Sequence, residues 1–378
     1  MIYLDSAATS LKRPDEVIHA VTHAMLCMGN PGRGAHEASL EAARTVYQAR
    51  KLVGEFFGCR EPERVIFTKN VTEALNLVIR SLFVPGDHVI TTCMEHNSVL
   101  RPLYRQEKAG VSLTVLPCDS RGRLETQLLE TAICRETKGV VCTHASNLTG
   151  NLNDIRSIGE FCRKNGLLFV VDAAQTAGVF PIDMERDGID VLCFTGHKGL
   201  LGPQGTGGFC VRNGIELESL CVGGSGVQSY QKEQPRELPE HLEAGTVNVH
   251  GIAGLLAGIR WIQKTGLQKI RKREQNLMKR FYQQIYSLPE VTVYGAFDEE
   301  RAPIVAFNLG EEDSERICDE LAVRYGIAVR GGAHCAPLMH CALGTKEQGA
   351  VRFSFSWFNT EQEVDRAARA VAELAQEL

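Results

Sequence analysis

The stretch LLFVVDAAQTAG (residues 167–178) decides the fold, because an unbroken apolar run passes directly into a polar turn. Such a run is typical of a strand that is buried on both faces of a parallel sheet. The preceding residues, 154–166, have helical periodicity and end in Gly166, a common helix stop. A helix followed by a buried strand with Asp172 at its end predicts one unit of an α/β domain.

Apolar runs of the same kind lie on both sides of this stretch, with helical patterns such as residues 72–82 between several of them. They occupy residues 64–68, 87–92, 112–117, 139–144, 191–196 and 207–212. Alternating strands and helices indicate a sheet whose strands run mainly parallel. We therefore expect a large α/β domain built on a mainly parallel, seven-stranded sheet.

The pattern changes towards the C-terminal third of the chain. Two helical stretches, 251–266 and 267–288, lead into shorter strands and a terminal amphipathic helix, which is an α+β arrangement. We expect residues 15–255 to form the large domain. Residues 1–14 and 256–378 are expected to form a smaller domain.

Composition and charge limit the class of protein. The chain has 378 residues, 44% of them hydrophobic and 23% charged, with a formal net charge of −5. That balance is typical of a folded, enzyme-sized protein and offers no basic field for nucleic acid or an anionic membrane. The first residues, MIYLDSAATS, lack the basic start and apolar run of a signal peptide, and no apolar stretch has the length of a membrane span. We expect a cytoplasmic protein that binds neither membrane nor nucleic acid directly.

Thirteen cysteines are scattered along the chain, and no two have C-x-x-C spacing. This argues against zinc ribbons and dithiol redox motifs, and reduced thiols in a cytoplasmic protein are the simpler account. Most of these cysteines are expected to pack as small apolar groups.

Polar residues follow the strands at the sheet edge where open parallel sheets bind ligands. Thr72 lies where the strand at 64–68 passes into a helix, and the free amides of a helix start bind phosphate well; a simple helix cap is the alternative. Asp172 ends a very apolar strand, with Gln175 in the turn after it. A buried carboxylate needs a partner, which is either a structural cation or a ligand with a protonated nitrogen.

Lys198 lies in a glycine-rich turn after the next strand, beside Thr195 and His197. The turn lacks the glycine order of a Walker loop, and a lone loop lysine is usually a solvated charge. Together with Asp172, however, the lysine matches what pyridoxal phosphate requires: a Schiff-base amine and a carboxylate for the ring nitrogen. His96 follows another strand and could stack on a flat ring, although a capping or core histidine is the alternative.

These residues lie in motifs that resemble the class V aminotransferase-like family, specifically cysteine desulfurases and selenocysteine lyases. The resemblance covers nearly the whole chain, and the short interval from Cys335 to Arg352 places it with the short-loop members. It implies pyridoxal-phosphate fold type I and a homodimer with shared sites. The motifs, in chain order, are YLDSAAT, VTEALN, MEHNSVLRP, THASNLTG, VDAAQTAG, TGHKGLLGPQGTGG, EAGTVN and GIAVRGGAHCAPLM.

The resemblance also implies a role for each matching residue. Lys198 is expected to be the Schiff-base lysine and proton shuttle, and Arg352 to bind the substrate carboxylate. Asp172 is expected to bind the pyridine nitrogen, and Gln175 and Asn147 to contact the ring hydroxyl, with Asn147 also close to the substrate. His96 is expected to stack on the ring and to assist proton transfer. The residues expected to hold the phosphate are Thr72, Thr195 and His197, with Thr246 reaching the phosphate of the partner subunit.

The stretch RGGAHCAPLMH (residues 330–340) places Cys335 between two histidines. A metal site of His334, Cys335, His340 and Cys341 matches no standard spacing, and we expect no metal. Ordinary packing is a second alternative. A thiolate nucleophile fits better, with His334 near the substrate as a group that could tune the thiol, and a mobile loop would let the sulfur reach an acceptor.

The leading hypothesis is a cysteine desulfurase that converts L-cysteine into L-alanine, holds the sulfur as a persulfide on Cys335 and passes it to an acceptor protein. Selenocysteine lyase, acting on L-selenocysteine, is the close rival. A class V aminotransferase or epimerase that does not use Cys335, and a non-catalytic scaffold, are more distant alternatives.

Some positions depart from the pattern of the short-loop members. Gly32 stands where a histidine is expected before Arg33, and Ala333 stands where a second histidine is common. The contributions of Arg33 and His36 across a dimer, and the role of Cys341, therefore stay open at this stage.

Overall fold

The computed structural model describes residues 1–32 and 34–377. Within them the helices are α1 (Asp15–Cys27), α2 (Glu37–Phe57), α3 (Val71–Leu82), α4 (Asn97–Lys108), α5 (Leu128–Ala132), α6 (Ile155–Asn165), α7 (Val249–Thr265), α8 (Leu267–Ile285), α9 (Ser314–Tyr325), α10 (Pro337–Leu343) and α11 (Glu361–Gln376). The strands are β1 (Ile2–Tyr3), β2 (Val65–Thr68), β3 (His88–Thr92), β4 (Ser112–Leu116), β5 (Thr137–Thr143), β6 (Leu168–Asp172), β7 (Val191–Thr195), β8 (Gly207–Val211), β9 (Val291–Tyr294), β10 (Ile304–Leu309), β11 (Ile327–Ala328) and β12 (Val351–Ser354).

The large sheet has seven strands in the order β2-β8-β7-β6-β5-β3-β4. Strand β8 runs antiparallel to both of its neighbours, and the pairs from β7 to β4 are parallel. The predicted seven-stranded, mainly parallel sheet is confirmed. From β3 the chain continues to β4 at one edge of the sheet, whereas from β5 it continues in the opposite direction to β6 and β7. The position between β3 and β5 is therefore a topological switch point, where ligands bind in open α/β sheets.

Strand β6 is buried on both faces, as its apolar sequence predicts. Phe169 and Val171 belong to the cluster formed with helices α2, α6 and α7. Val170 between them belongs to the cluster formed with α3 and α4 on the opposite face. The alternation of side chains along a strand therefore fills two apolar layers from one short segment.

A second, smaller sheet has the antiparallel order β12-β10-β9 and packs with α8 and α11 around its own core. The N-terminal strand β1 pairs with β11, so the first residues of the chain join this C-terminal region. Helix α7 packs on α1 and α2, whereas α8 packs on α11. The division expected at residue 255 stays a prediction, and this packing favours a boundary near Gly266, where α7 ends.

Local signals account for several helix ends. The Asp313 side chain accepts hydrogen bonds from the first amides of α9, and Gly326 ends that helix in the left-handed conformation. In the described part of the chain, no helix combines the length and apolarity needed to cross a membrane.

Candidate active site

The carboxyl ends of the central strands surround a cavity of about 230 Å³. Eight of the residues singled out from the sequence line it: Thr72, His96, Asn147, Asp172, Gln175, Thr195, His197 and Lys198. They come from segments up to 126 residues apart in the chain, namely the start of α3 and the turns after β3, β5, β6 and β7. Parallel pairing puts these turns at one sheet edge, which is why the polar strand ends converge.

The turn that carries Lys198 lies against the turn that follows Asp172 because two glycines allow their backbones to touch. A side chain at Gly178, which has a left-handed φ of 87°, would overlap the carbonyl oxygen of Gly199. A Cβ at Gly199 would in turn lie 2.5 Å from the carbonyl oxygen of Ala177. Any larger residue at either position would push the lysine turn away from the aspartate.

Lys198 and Asp172 influence each other through charge. Burial lowers the pKa of Lys198 to about 8, with Asp172 opposing the shift and Arg352 adding to it. Burial raises the pKa of Asp172, against the hydrogen bond that Oδ1 accepts from the Ala174 amide at 2.9 Å and against the charge of Lys198. The site therefore holds an amine that is easily deprotonated near a carboxylate that needs a cationic partner.

His96 is held by the start of α4. Its Nδ1 accepts a hydrogen bond from the Ser98 amide at 2.9 Å and also contacts the Ser98 hydroxyl, which lies 2.8 Å from Thr72 Oγ1. Burial and the nearby cations Lys198 and Arg352 lower the pKa of His96 to about 4. The imidazole that lines the cavity is therefore neutral at physiological pH.

The N-terminal segment covers one side of the cavity. The Thr9 hydroxyl lies 3.0 Å from His197 Nδ1, and Gln175 Nε2 donates to the Ala7 carbonyl oxygen at 3.2 Å. Burial lowers the pKa of His197 to about 4, so this ring is also neutral at physiological pH. The motif YLDSAAT is thus part of the site.

Two buried polar atoms of the lining residues, Thr195 Oγ1 and Asn147 Oδ1, have no hydrogen-bond partner among the described residues. Buried polar atoms are nearly always hydrogen-bonded, so these two require a ligand or water. A phosphate at Thr195 and a ring hydroxyl at Asn147 would satisfy them, and Asp172 and Lys198 match a pyridinium nitrogen and an aldehyde. The residues present therefore fit pyridoxal phosphate.

Arg352 does not line this cavity, but its guanidinium contacts the backbone of Asn147, which does. Its side chain is 3% exposed, and Nη1 donates to the Asn147 carbonyl oxygen at 2.9 Å. Nη2 donates to Asp5 Oδ1 at 3.1 Å, while Nε is buried and has no partner in the part of the chain that the structure describes. The Nε–H group therefore remains available to donate a hydrogen bond to an anion.

Cys335 is exposed and lies on a loop whose backbone is tied to the site. Asn147 Nδ2 donates to the His334 carbonyl oxygen at 2.7 Å, and the Asn97 amide donates to the Cys335 carbonyl oxygen at 2.8 Å. His334 and Cys335 have left-handed φ values of 48° and 55°, which are uncommon for residues with a side chain. A movement of the thiol away from the site must therefore break these hydrogen bonds or turn about Gly331 and Gly332.

His334 is buried beside this loop, and its Nε2 donates to the Ala350 carbonyl oxygen at 2.8 Å. Burial and the charge of Arg352 lower the pKa of His334 to about 3. The ring is therefore neutral at physiological pH and offers the thiol no positive charge. Among the described residues, no group of three or more His, Cys, Asp or Glu side chains is arranged to hold a metal ion.

Sequence reasoning missed three side chains at the site. Asp5 binds Arg352, Ser98 joins His96 to Thr72, and the buried Glu95 accepts a hydrogen bond from the Thr92 hydroxyl at 2.6 Å. Burial raises the pKa of Glu95 to about 8, so it is mostly protonated at neutral pH. All three lie inside the motifs YLDSAAT and MEHNSVLRP. For Asp5 and Glu95, the available signal was an acidic residue close to apolar positions.

Thr246 lies apart from the other predicted residues. It is exposed and lines a separate cavity of about 1,230 Å³ together with His36. His36 caps α2 by accepting a hydrogen bond from the Ser39 amide. Arg33, whose contribution was left open, lies outside the described residues.

The fold is that of pyridoxal-phosphate enzymes of fold type I, as the resemblance implied. The family model described as aminotransferase class V matches residues 2–367, and the chain belongs to that family. It is 36% identical to a probable cysteine desulfurase of Pyrococcus abyssi, covering 100% of this chain and 95% of that protein. It is 34% identical to a probable cysteine desulfurase of Methanothermobacter thermautotrophicus, covering 99% and 94%. The apo structure of the cysteine desulfurase from Thermococcus onnurineus superposes with a TM-score of 0.93 at 35% identity, covering 100% of this chain and 95% of that one.

Proposed function

We propose that this chain is a pyridoxal-phosphate-dependent cysteine desulfurase that converts L-cysteine into L-alanine and keeps the sulfur on Cys335. The observation that carries the proposal is the hydrogen bond from Asn147 Nδ2 to the His334 carbonyl oxygen, which ties the cysteine loop to the wall of the lysine cavity. An aminotransferase or epimerase has no use for an exposed thiol held in that position.

Pyridoxal phosphate, when bound, supplies an electron sink for the carbanion formed at the substrate Cα. Lys198 would hold it covalently through Nζ, and the same atom would take the α-proton of the substrate. A pKa near 8 suits this task because the amine exchanges protons readily close to neutral pH. Asp172 would hold the ring nitrogen, Gln175 and Asn147 would hold the ring hydroxyl, and Thr72, Thr195 and His197 would hold the phosphate.

Arg352 binds the substrate carboxylate and thereby directs the substrate side chain towards Cys335. The Cys335 thiolate attacks the substrate sulfur, and the S–S bond forms as the C–S bond breaks. The electron pair of the C–S bond goes to the substrate carbon, which takes up a proton from solvent and becomes the alanine methyl group. Cys335 is left as a persulfide. An acceptor protein, or a reducing thiol, takes the terminal sulfur from this exposed position.

We also propose a homodimer in which Thr246 contacts the phosphate bound by the partner subunit. Thr246 is exposed and does not line the Lys198 cavity, which supports a contact outside its own subunit. Large exposed apolar side chains, which include Met25, Leu26 and Tyr47, are consistent with a buried face in an assembly. The proposed location is the cytoplasm, where thiols stay reduced and a persulfide can be passed on.

The decisive experiment incubates the enzyme with L-cysteine and measures alanine together with the mass of the peptide that contains Cys335. We expect alanine, and a gain of one sulfur atom on that peptide. Cys335→Ala should abolish both, whereas Cys341→Ala, which removes an exposed cysteine in the following helix, should retain both.

Parallel incubation with L-selenocysteine distinguishes a cysteine desulfurase from a selenocysteine lyase. Much faster alanine release from selenocysteine, with little from cysteine, would identify a selenocysteine lyase. Activity that survives Cys335→Ala would favour an aminotransferase or epimerase instead.

A further inference from the structure

Three charged side chains from the two ends of the chain lie together next to Asn147, namely Asp5, Arg330 and Arg352. Asp5 accepts hydrogen bonds from Arg352 Nη2 at 3.1 Å and from Arg330 Nη2 at 2.9 Å and Nε at 3.1 Å. The Arg352 side chain is 3% exposed and that of Asp5 is 10% exposed, while Arg330 reaches solvent. One carboxylate therefore orients two guanidinium groups.

The backbone reinforces this arrangement. Arg330 and Arg352 form a β-bridge, in which the Arg352 amide donates to the Arg330 carbonyl oxygen at 2.8 Å. Asp5 is bridged to Ser354, whose hydroxyl accepts a hydrogen bond from the Ala7 amide at 2.8 Å. The carboxylate and both arginines are thus fixed relative to each other before any substrate arrives.

The cluster is incomplete in two respects. Two guanidinium cations share one carboxylate, which leaves one positive charge without a partner. Arg352 Nε is buried and donates to no atom of residues 1–32 and 34–377. Both deficits are met by a single carboxylate, which accepts a hydrogen bond from Nε and balances the charge.

The cluster is also connected to the catalytic cysteine loop. Arg352 Nη1 donates to the Asn147 carbonyl oxygen, and Asn147 Nδ2 donates to the carbonyl oxygen of His334, the residue before Cys335. A displacement of the Arg352 guanidinium would therefore move Asn147 and the loop that carries the thiol.

We propose that Asp5 is a positioning residue for substrate recognition: it holds Arg352 and Arg330 so that Arg352 presents its free Nε to the single α-carboxylate of an amino acid. This inference rests on the proposed function for the identity of the amino acid. It goes further in assigning specificity to a residue at the opposite end of the chain from Arg352. Asp5 contacts the arginine and not the substrate.

The test compares the holoenzyme with Asp5→Asn and Asp5→Glu in steady-state alanine release and in binding of L-alanine. L-Alanine carries the same carboxylate without sulfur, and its binding is followed by the change in cofactor absorbance. We expect KM for cysteine and the dissociation constant for alanine to rise roughly tenfold in both variants, with a much smaller change in kcat, because the arginine is misplaced. Asp5→Glu retains the charge, so it separates position from charge.

A matched control is Asp298→Asn, which removes a surface carboxylate that also binds two arginines, Arg121 and Arg123. This control should leave both constants unchanged, and circular dichroism and cofactor absorbance verify that every variant is folded and loaded. Unchanged or tighter alanine binding in Asp5→Asn would overturn the inference. Normal constants in Asp5→Glu would assign Asp5 a purely electrostatic role and also overturn it. Failure of the wild-type enzyme to release alanine from cysteine would instead overturn the proposed function.

Discussion

Lys198 is surrounded by charges of both signs, and their balance sets its protonation. Burial lowers its pKa to about 8, Asp172 opposes that shift, and Arg352 adds to it. Only the neutral amine attacks an aldehyde, so a lysine with an ordinary pKa would react slowly at neutral pH. The cation of Arg352, which we propose binds the substrate carboxylate, therefore also helps to activate the lysine.

This balance predicts the pH dependence of cofactor uptake. In cofactor-free protein, the rate at which pyridoxal phosphate is bound covalently should rise as the pH passes through about 8, where Lys198 loses its proton. Asp172 raises the pKa of Lys198, so Asp172→Asn should move the midpoint to lower pH. Stopped-flow absorbance at saturating cofactor measures the rate, and Lys198→Ala provides the blank. A midpoint that moves to higher pH would contradict the assigned electrostatics.

At the scale of the element, helix α8 shows what periodicity predicts and what it misses. The pattern over 267–288 predicted the helix, which ends at Ile285 because Pro289 disfavours helical backbone in the residue before it. The short helix α10 was not expected, although Pro337 at its first turn and Gly344 after its end were signals for it. Seven residues are too few for a clear hydrophobic period.

Helix α8 also buries a carboxyl group that makes stability depend on pH. Glu274 Oε1 accepts a hydrogen bond from the Trp357 amide at 2.8 Å, and burial raises the pKa of Glu274 to about 8. The folded protein keeps this proton over a pH range in which the unfolded chain, with a pKa near 4.5, has released it. The free energy of unfolding therefore falls as the pH rises from about 4.5 to about 8.

Glu274→Gln should remove this dependence while keeping an oxygen that accepts from Trp357. Between mildly acidic and mildly alkaline pH, we expect the Tm of the variant to fall less than that of the wild type. The difference should correspond to about 1–3 kcal/mol in the free energy of unfolding. Calorimetry across the range measures it. Glu361→Gln, at an exposed position on α11, should behave like the wild type. Equal pH dependence in Glu274→Gln and the wild type would argue that Glu274 is ionised in the folded protein.

At the scale of the whole molecule, the position of Thr246 bears on assembly. Thr246 does not line the cavity that contains Lys198 of the same chain. If it serves the partner's phosphate, then each site of a dimer needs Lys198 from one chain and Thr246 from the other.

Mixed dimers test this directly. Lys198→Ala and Thr246→Glu homodimers should each be inactive, because every site lacks one of the two groups. A heterodimer has one site with both groups intact, so its activity should return to about half that of the wild type, a value that follows from counting sites. Two differently tagged chains, refolded or expressed together and purified in sequence, supply the heterodimer. No recovery of activity would place Thr246 at the site of its own chain.

The sequence by itself was sufficient for the large sheet and for the residues around the cavity. Seven apolar runs predicted seven strands, and the polar residues after them predicted Lys198, Asp172 and their neighbours, because strand burial and strand ends are local properties. Their proximity then followed from the shared edge of parallel strands.

Only the tertiary structure decided the second half of the site. Asp5 and Arg352 are 347 residues apart, and their contact arises because β1 joins the C-terminal region. The sequence also could not show that His334 is neutral, because its low pKa comes from burial and from the charge of Arg352. Strand periodicity depends on neighbours in the chain, whereas ion pairing and desolvation depend on groups that only folding brings together.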